Sequence, residues 1–267
     1  MRPKLSKTRD RLEQFGFSFR HGSAHSSRTI MLEDLTTLLN HVGDENASPS
    51  DYLFAIHQQN CLRKRSNKTR MLSYRHLVHL YTLDPSIALF HALRYFWQRD
   101  SDSHPGLALL CSYARDPILR MSAGFVTKQP LGVVVSTREF EELIESKHPG
   151  RFSDATLKST AQNISATWTK AGLLHGRVRK IRSQGTPSIG SVCYALFLGH
   201  LVGLRGEQLF SSEYLQALDC LPEAAIEHAL NGSQCGWIIF KKIGRVMEVR
   251  FPQFESLERC GGRCEQN

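Results

Sequence analysis

A mainly α-helical protein is what this sequence predicts, with a helical first half and a second half that mixes helices with small β-hairpins. Three observations carry that prediction. Apolar residues recur at three- and four-residue steps through most of the 267 residues, the spacing that lines one face of a helix. Several of those runs open on Ser, Asp or Pro at capping positions. Runs of β-type residues bounded by Gly, Pro or basic turns are short and fall in the second half.

Residues 1–16 are basic and lack an apolar stretch, so neither a signal peptide nor a membrane anchor is expected there. A helix is predicted near 28–42. Ser48, Pro49 and Asp51 resemble a capping arrangement that opens a helix running to about Asn60, and another helix follows over 68–80. Asp84 and Pro85 open the next, which carries Ile87, Phe90, Leu93, Arg94 and Trp97. A helix over 106–121 completes the helical first half, residues 1–130. Residues 127–135, with a Gln129-Pro130-Leu131-Gly132 break before three valines, read as a linker or a short strand.

The second half, residues 131–256, begins with Ser136 and Glu139 at capping-box spacing. That spacing predicts a helix over Thr137–Lys147 that stops before His148-Pro149-Gly150. A second helix starts at Ser153, and its Leu157, Ala161, Ile164, Trp168 and Ala171 fall on one buried stripe until Gly172 ends it. Leu173 and Leu174, a basic segment 175–182 and the Gly185-Thr186-Pro187 turn suit a short hairpin. Helix, turn, helix, basic hairpin is the order of a winged helix-turn-helix. An apolar helix over 189–204 contains Gly199 and Gly203, with Gly206 just beyond, read here as small residues permitting close packing. No Lys-Ser or Lys-Thr follows them, which excludes a Walker phosphate loop. Helices over 212–218 and 222–230 lead into β-like runs at 237–240 and 245–251, joined by Lys241-Lys242-Ile243-Gly244. Residues 257–267 are expected to form a flexible tail.

At 41% apolar content the chain has enough material for a sizeable core. The longest greasy run, 192–204, is interrupted by His200 and too short to span a bilayer. Seven cysteines without framework spacing point to reduced thiols and a cytoplasmic location. Cys260 and Cys264 look paired, yet no further Cys or His stands nearby to complete a zinc site.

The charge is segregated. Two windows, 52–83 and 155–206, contain no Asp or Glu. The first holds Arg63, Lys64, Arg65, Lys68, Arg70 and Arg75; the second holds Lys158, Lys170, Arg177, Arg179, Lys180, Arg182 and Arg205. Without those thirteen, 21 bases face 25 acids, so the rest of the chain is net acidic although the whole carries +9. Such segregation points to a polyanionic partner, nucleic acid first; the competing reading is a solvated basic face without a ligand. On the helix after Ser153, the face opposite the apolar stripe displays Lys158, Ser159, Gln162, Asn163, Ala166, Thr169 and Lys170. Asn and Gln pair with an adenine edge and lysines hold phosphates, so this face has the chemistry of a recognition helix. Arg177, Arg179, Lys180 and Arg182 on the hairpin are spaced to follow a phosphate backbone or enter a minor groove.

The run Asn60-x-Leu62-x-Lys64-Arg65-Ser66-x-x-Thr69-Arg70, followed by Arg75, His76 and Leu77, is similar to a pattern of the BrxA family of bacteriophage-exclusion (BREX) defence proteins. Ser153-x-x-Thr156-Leu157 through Trp168-x-x-Ala171-Gly172-Leu173-Leu174 resembles a later helix of the same family. Together they cover about a third of the chain. The resemblance implies a helical bundle related to the NusB antiterminator fold that binds nucleic acid, catalyses nothing, and acts beside other phage-defence proteins. It attaches to the loop Arg63 to Arg70 and the helix Lys158 to Lys170. The chain is longer than the family pattern from about Ile189 onward.

No catalytic constellation is apparent and no cofactor or metal is implied. Glu145-Ser146-Lys147 has nuclease-like spacing but lies among Glu139, Glu141 and Glu142 on a charged helix, and His76 with His79 lacks a third ligand. The expected function is antiviral defence by a cytoplasmic DNA-binding protein acting on double-stranded DNA, with RNA the alternative nucleic acid. Its rival is a protein-docking scaffold anchored by Trp97, Trp168 and Trp237.

Overall fold

The computed structural model describes residues 3–19, 22–244 and 246–260. The protein is mainly helical. In chain order come α1 (Pro3–Gln14), α2 (Leu32–His41), α3 (Pro49–His57), α4 (Asn67–Tyr81), α5 (Ala88–Arg99), α6 (His104–Arg115), α7 (Pro117–Thr127), β1 (Val134–Val135), α8 (Thr137–Lys147) and α9 (Asp154–Lys170). Then follow β2 (Leu174–His175), β3 (Lys180–Arg182), α10 (Ile189–Leu201), α11 (Glu213–Ala217), α12 (Pro222–Gln234), β4 (Ile239–Ile243), β5 (Val246–Arg250) and α13 (Glu255–Cys260).

Local chemistry explains where the elements depart from the sequence expectation. The predicted helix over 106–121 is two helices, because Pro117 has no amide to donate and the Asp116 carboxylate instead accepts the amides of Ile118 (3.0 Å) and Leu119 (3.2 Å) as the cap of α7. Asp84 does not open a helix directly. Its carboxylate accepts from the amide and hydroxyl of Ser86 at 2.9 and 2.7 Å, closing a turn, and α5 starts only at Ala88. The segment before α2 runs extended to Met31, which sits in the left-handed region at φ 48°. Residues 1–16, for which the sequence reading places no element, include α1. Gly203, at φ 98°, lies just past the end of α10 at Leu201, and Gly206, at φ 57°, begins the 3₁₀ turn Gly206–Ser211, so neither sits in the helix to pack it. Lys241 and Lys242 belong to β4 rather than to the turn. Of the expected tail, residues to Cys260 extend α13; residues 261–267, Cys264 included, lie outside the described residues.

One continuous apolar core runs through both halves of the chain. Its centre is α10, buried on every side from Gly190 to Gly199, as a helix apolar all round must be. α10 packs against α5 and α6 of the first half and α11 and α12 of the second. Among the described residues no single helix is long and apolar enough to cross a membrane. Cys61, Cys111, Cys193, Cys220 and Cys235 are free thiols.

Beside this bundle, α7, β1, α8, α9, β2 and β3 form a contiguous block. β3 lies between β1 and β2, antiparallel to both, with Val134 opposite Ile181 and Leu174 opposite Arg182. α8 opens on the predicted capping box: the Ser136 amide donates to Glu139 at 2.7 Å, and the Glu139 amide donates to the Ser136 hydroxyl at 3.3 Å. α9 ends in a Schellman turn. Gly172 at φ 85° lets the Leu173 amide reach the Trp168 carbonyl (3.0 Å) while its own amide reaches Thr169 (3.1 Å). Ala161, Ile164 and Trp168 are fully buried along the predicted stripe, and the Trp168 indole donates to the Ser122 hydroxyl of α7 at 2.8 Å.

Candidate nucleic-acid interface

The loop between α3 and α4 is built by its own polar side chains. Asn60, in the left-handed region at φ 50°, accepts from the Lys64 amide (2.8 Å) and donates to the Lys64 carbonyl (3.1 Å). Leu62 is buried beneath them. Ser66 caps α4 and exchanges hydrogen bonds with Thr69, and the Arg70 guanidinium donates to the His57 carbonyl at 3.0 Å. Asn60, Leu62, Ser66 and Thr69 are thus the loop's framework, and Arg70 is a structural tie rather than a free cation. Lys64 is also spoken for, donating to both carboxylate oxygens of Asp34 at 2.8 and 2.9 Å. Arg63, Arg65, Lys68 and Arg75 remain exposed without an ion pair among the described residues. Arg63 holds φ 50°, a conformation in which glycine would cost less. The first turn of α4 contains no acid. The first amides of a helix have no acceptor within it, and at that end the dipole favours an anion.

On α9 the expected recognition face divides into two strips. Lys158 and Gln162 are exposed, in line with the exposed Ala155. Ser159 and Asn163 turn away from solvent: they donate to the carbonyls of Ser26 (3.2 Å) and His25 (2.9 Å) in a segment that crosses α9. Lys170 is paired with Glu33. Burial pushes the Glu33 carboxyl up, but the hydrogen bond and charge of Lys170 outweigh it and hold that carboxyl below its ordinary value. Ser159, Asn163 and Lys170 are therefore corrected from base or phosphate contacts to internal ones.

The hairpin shows the sharpest division. Arg177 and Arg179 are exposed at its tip, with Val178 between them 93% exposed. Lys180 folds back to donate to the Gly176 carbonyl at 2.7 Å, and burial lowers its pKa. Arg182 is 2% exposed, forms an ion pair with Asp219 at 2.8 Å and donates to the carbonyls of Leu173 and Ser183. It faces the core because β3 alternates sides and the tip cations lie before the strand begins. Arg182 is thus a buried structural residue, and Lys180 is half-withdrawn.

Between the two basic regions runs the segment 23–34, which sequence reasoning missed. A 3₁₀ turn at Ala24–Ser26 packs on both α4 and α9. It is pinned by a buried chain: the Asp116 carboxylate accepts from the Ser23 hydroxyl (2.7 Å), the Ala24 amide (3.0 Å) and His25 Nδ1 (2.8 Å), while His25 Nε2 meets the Thr167 hydroxyl of α9 at 3.0 Å. Thr167 also accepts from the Ile30 amide at 3.1 Å. Thr167, His25 and Asp116 have the connectivity of a hydrolase triad. Both His25 and Asp116 are fully buried, so no substrate reaches them. Arg28 is exposed on this segment, and burial, with the charges of Arg28 and His79 adding to it, pushes the His76 pKa down. Residues 14–32 contain no acid, so the criterion that found the longer windows, applied to a shorter one, would have found Arg28.

Among the described residues, no group of His, Cys, Asp and Glu side chains is placed to hold a metal ion. Trp97 and Trp168 are buried and not free to anchor a partner, whereas Trp237 is partly buried and packs against Phe96 at the edge of the core. No protein-family model matches the sequence, and no curated protein matches it.

Proposed function

We propose that this chain is a non-catalytic protein that binds double-stranded DNA through a winged helix-turn-helix unit. The observation that carries the reading is the order α7, β1, α8, α9, β2, β3 with β3 central in the sheet. That order puts one exposed helix strip beside a hairpin tipped by Arg177 and Arg179. In this reading α9 enters the major groove with Lys158 and Gln162 outward, and the hairpin tip holds the flanking phosphates. Arg63, Arg65, Lys68, Arg75 and Arg28 extend the phosphate contacts beyond the unit. The resemblance of the Asn60 to Arg70 loop and the Ser153 to Leu174 stretch to BrxA proteins supports a place in cytoplasmic phage defence, with the helical half as a NusB-like bundle next to other defence proteins.

A mobility-shift assay with duplex DNA and duplex RNA tests the proposal. Arg177→Glu/Arg179→Glu and Arg63→Glu/Arg65→Glu should each weaken DNA binding at least tenfold, about 1.4 kcal/mol or more. Lys64→Ala and Lys170→Ala, which remove cations already paired to carboxylates, should stay within about threefold of the wild type. No shift by the wild type, or reversal variants that bind as well as it does, refutes the reading; a shift with RNA alone reassigns the nucleic acid.

A further inference from the structure

The β4–β5 hairpin ends in a feature that nothing above uses. β4 and β5 pair only with each other, Phe240 opposite Val249 on the buried face and Ile243 opposite Val246 at the tip. Phe240 and Val249 are buried, whereas Ile243 is 81% and Val246 73% exposed. Lys241 and Lys242 are exposed immediately before them. Glu248, opposite Lys241, is engaged by Arg250 at 3.1 Å. Arg205, the last cation of the second acid-free window, is exposed next to Gly206, which packs near the Met247 carbonyl.

Lysines on a two-stranded ribbon are ordinarily read as guards against edge-to-edge aggregation. Guarding does not explain an adjacent pair of β-branched side chains held out in water, which raises the very hazard the lysines would reduce. Apolar tip plus flanking cations is instead the composition of a wedge that unstacks a base step while its neighbours hold the phosphates. The Arg177-Val178-Arg179 tip repeats that composition on an independent hairpin. A docking site for an acidic protein would account for the lysines and for the apolar pair as well, but not for the recurrence of the pattern on the hairpin beside α9.

We propose that the β4–β5 hairpin is a second contact with duplex DNA, in which Ile243 and Val246 insert between base pairs and bend the helix. This rests on the DNA-binding reading and adds deformation to it. The test is end-to-end fluorescence energy transfer on a doubly labelled duplex of about 40 base pairs, saturated with protein. Ile243→Thr/Val246→Thr keeps the β-branched shape and replaces the ethyl group of Ile243 and one methyl of Val246 by a hydroxyl; the single Ile243→Thr is a milder check, and thermal melting confirms that each variant is folded. Wild type should raise the transfer efficiency as expected of a bend on the order of 20–90°. The double variant should lose at least half of that rise while binding within about fivefold of wild type. Wild type that binds without changing the efficiency overturns the wedge and leaves DNA binding intact. Equal bending by wild type and double variant overturns it too and returns the tip to a protein partner. Absence of any binding overturns both readings.

Discussion

Arg177 and Arg182 are five positions apart and have opposite fates, which mutation should separate. Arg182→Ala leaves Asp219 without its buried partner, and breaking such a pair costs about 3–5 kcal/mol; thermal melting should show a large fall in midpoint. Arg177→Ala should stay within about 0.5 kcal/mol of wild type and act only on binding. Arg63→Gly should relieve left-handed strain and prove neutral or stabilising by up to ~1 kcal/mol, while weakening binding. Asp116 makes a prediction in pH. Burial pushes its carboxyl up, but His25, Ser23 and the α7 amides outweigh it and hold the pKa well below the ordinary 3.8. A carboxyl depressed by folding contributes stability that is complete above its unfolded value and lost as pH falls through the folded one. Acid denaturation should therefore steepen below about pH 4 in wild type. Asp116→Asn should be less stable at pH 7 and respond less to that acid range.

Elements were legible where their signals are local. Ser136 with Glu139, Gly172 after Trp168 and the apolar stripe of α9 are short-range patterns, and the structure forms each as predicted. The break at Asp116-Pro117 was overlooked because apolar spacing continues across it, although Pro at the first helical position announces a new start. Ser159 and Asn163 were misread for a different reason. Nothing within α9 reveals that a segment more than a hundred residues earlier covers that strip. The hairpin turn supplies a test at this scale. Gly176 has φ 98°, and a Cβ there would collide with the Arg179 carbonyl. Gly176→Ala should displace the tip and weaken DNA binding while leaving overall stability within about 1 kcal/mol.

Across the whole molecule, the acid-free windows meet at one point, and their cations are not uniformly bare. Lys64 of the first and Lys170 of the second pair with Asp34 and Glu33, consecutive residues in the first turn of α2. α2 brings Lys64 and Lys170 to one neighbourhood, and its carboxylates neutralise both. Asp219 does the same to Arg182. What remains for a polyanion is the outer set, Arg63, Arg65, Lys68, Arg75, Lys158, Arg177, Arg179 and Arg205, together with Arg28. Binding of a duplex measured across a salt series tests this most directly. Engagement of five or six of these cations predicts a slope of log K against log salt near −5, a loss of about three decades between 50 and 200 mM. A slope shallower than about −1, or no measurable binding at 50 mM, contradicts the account.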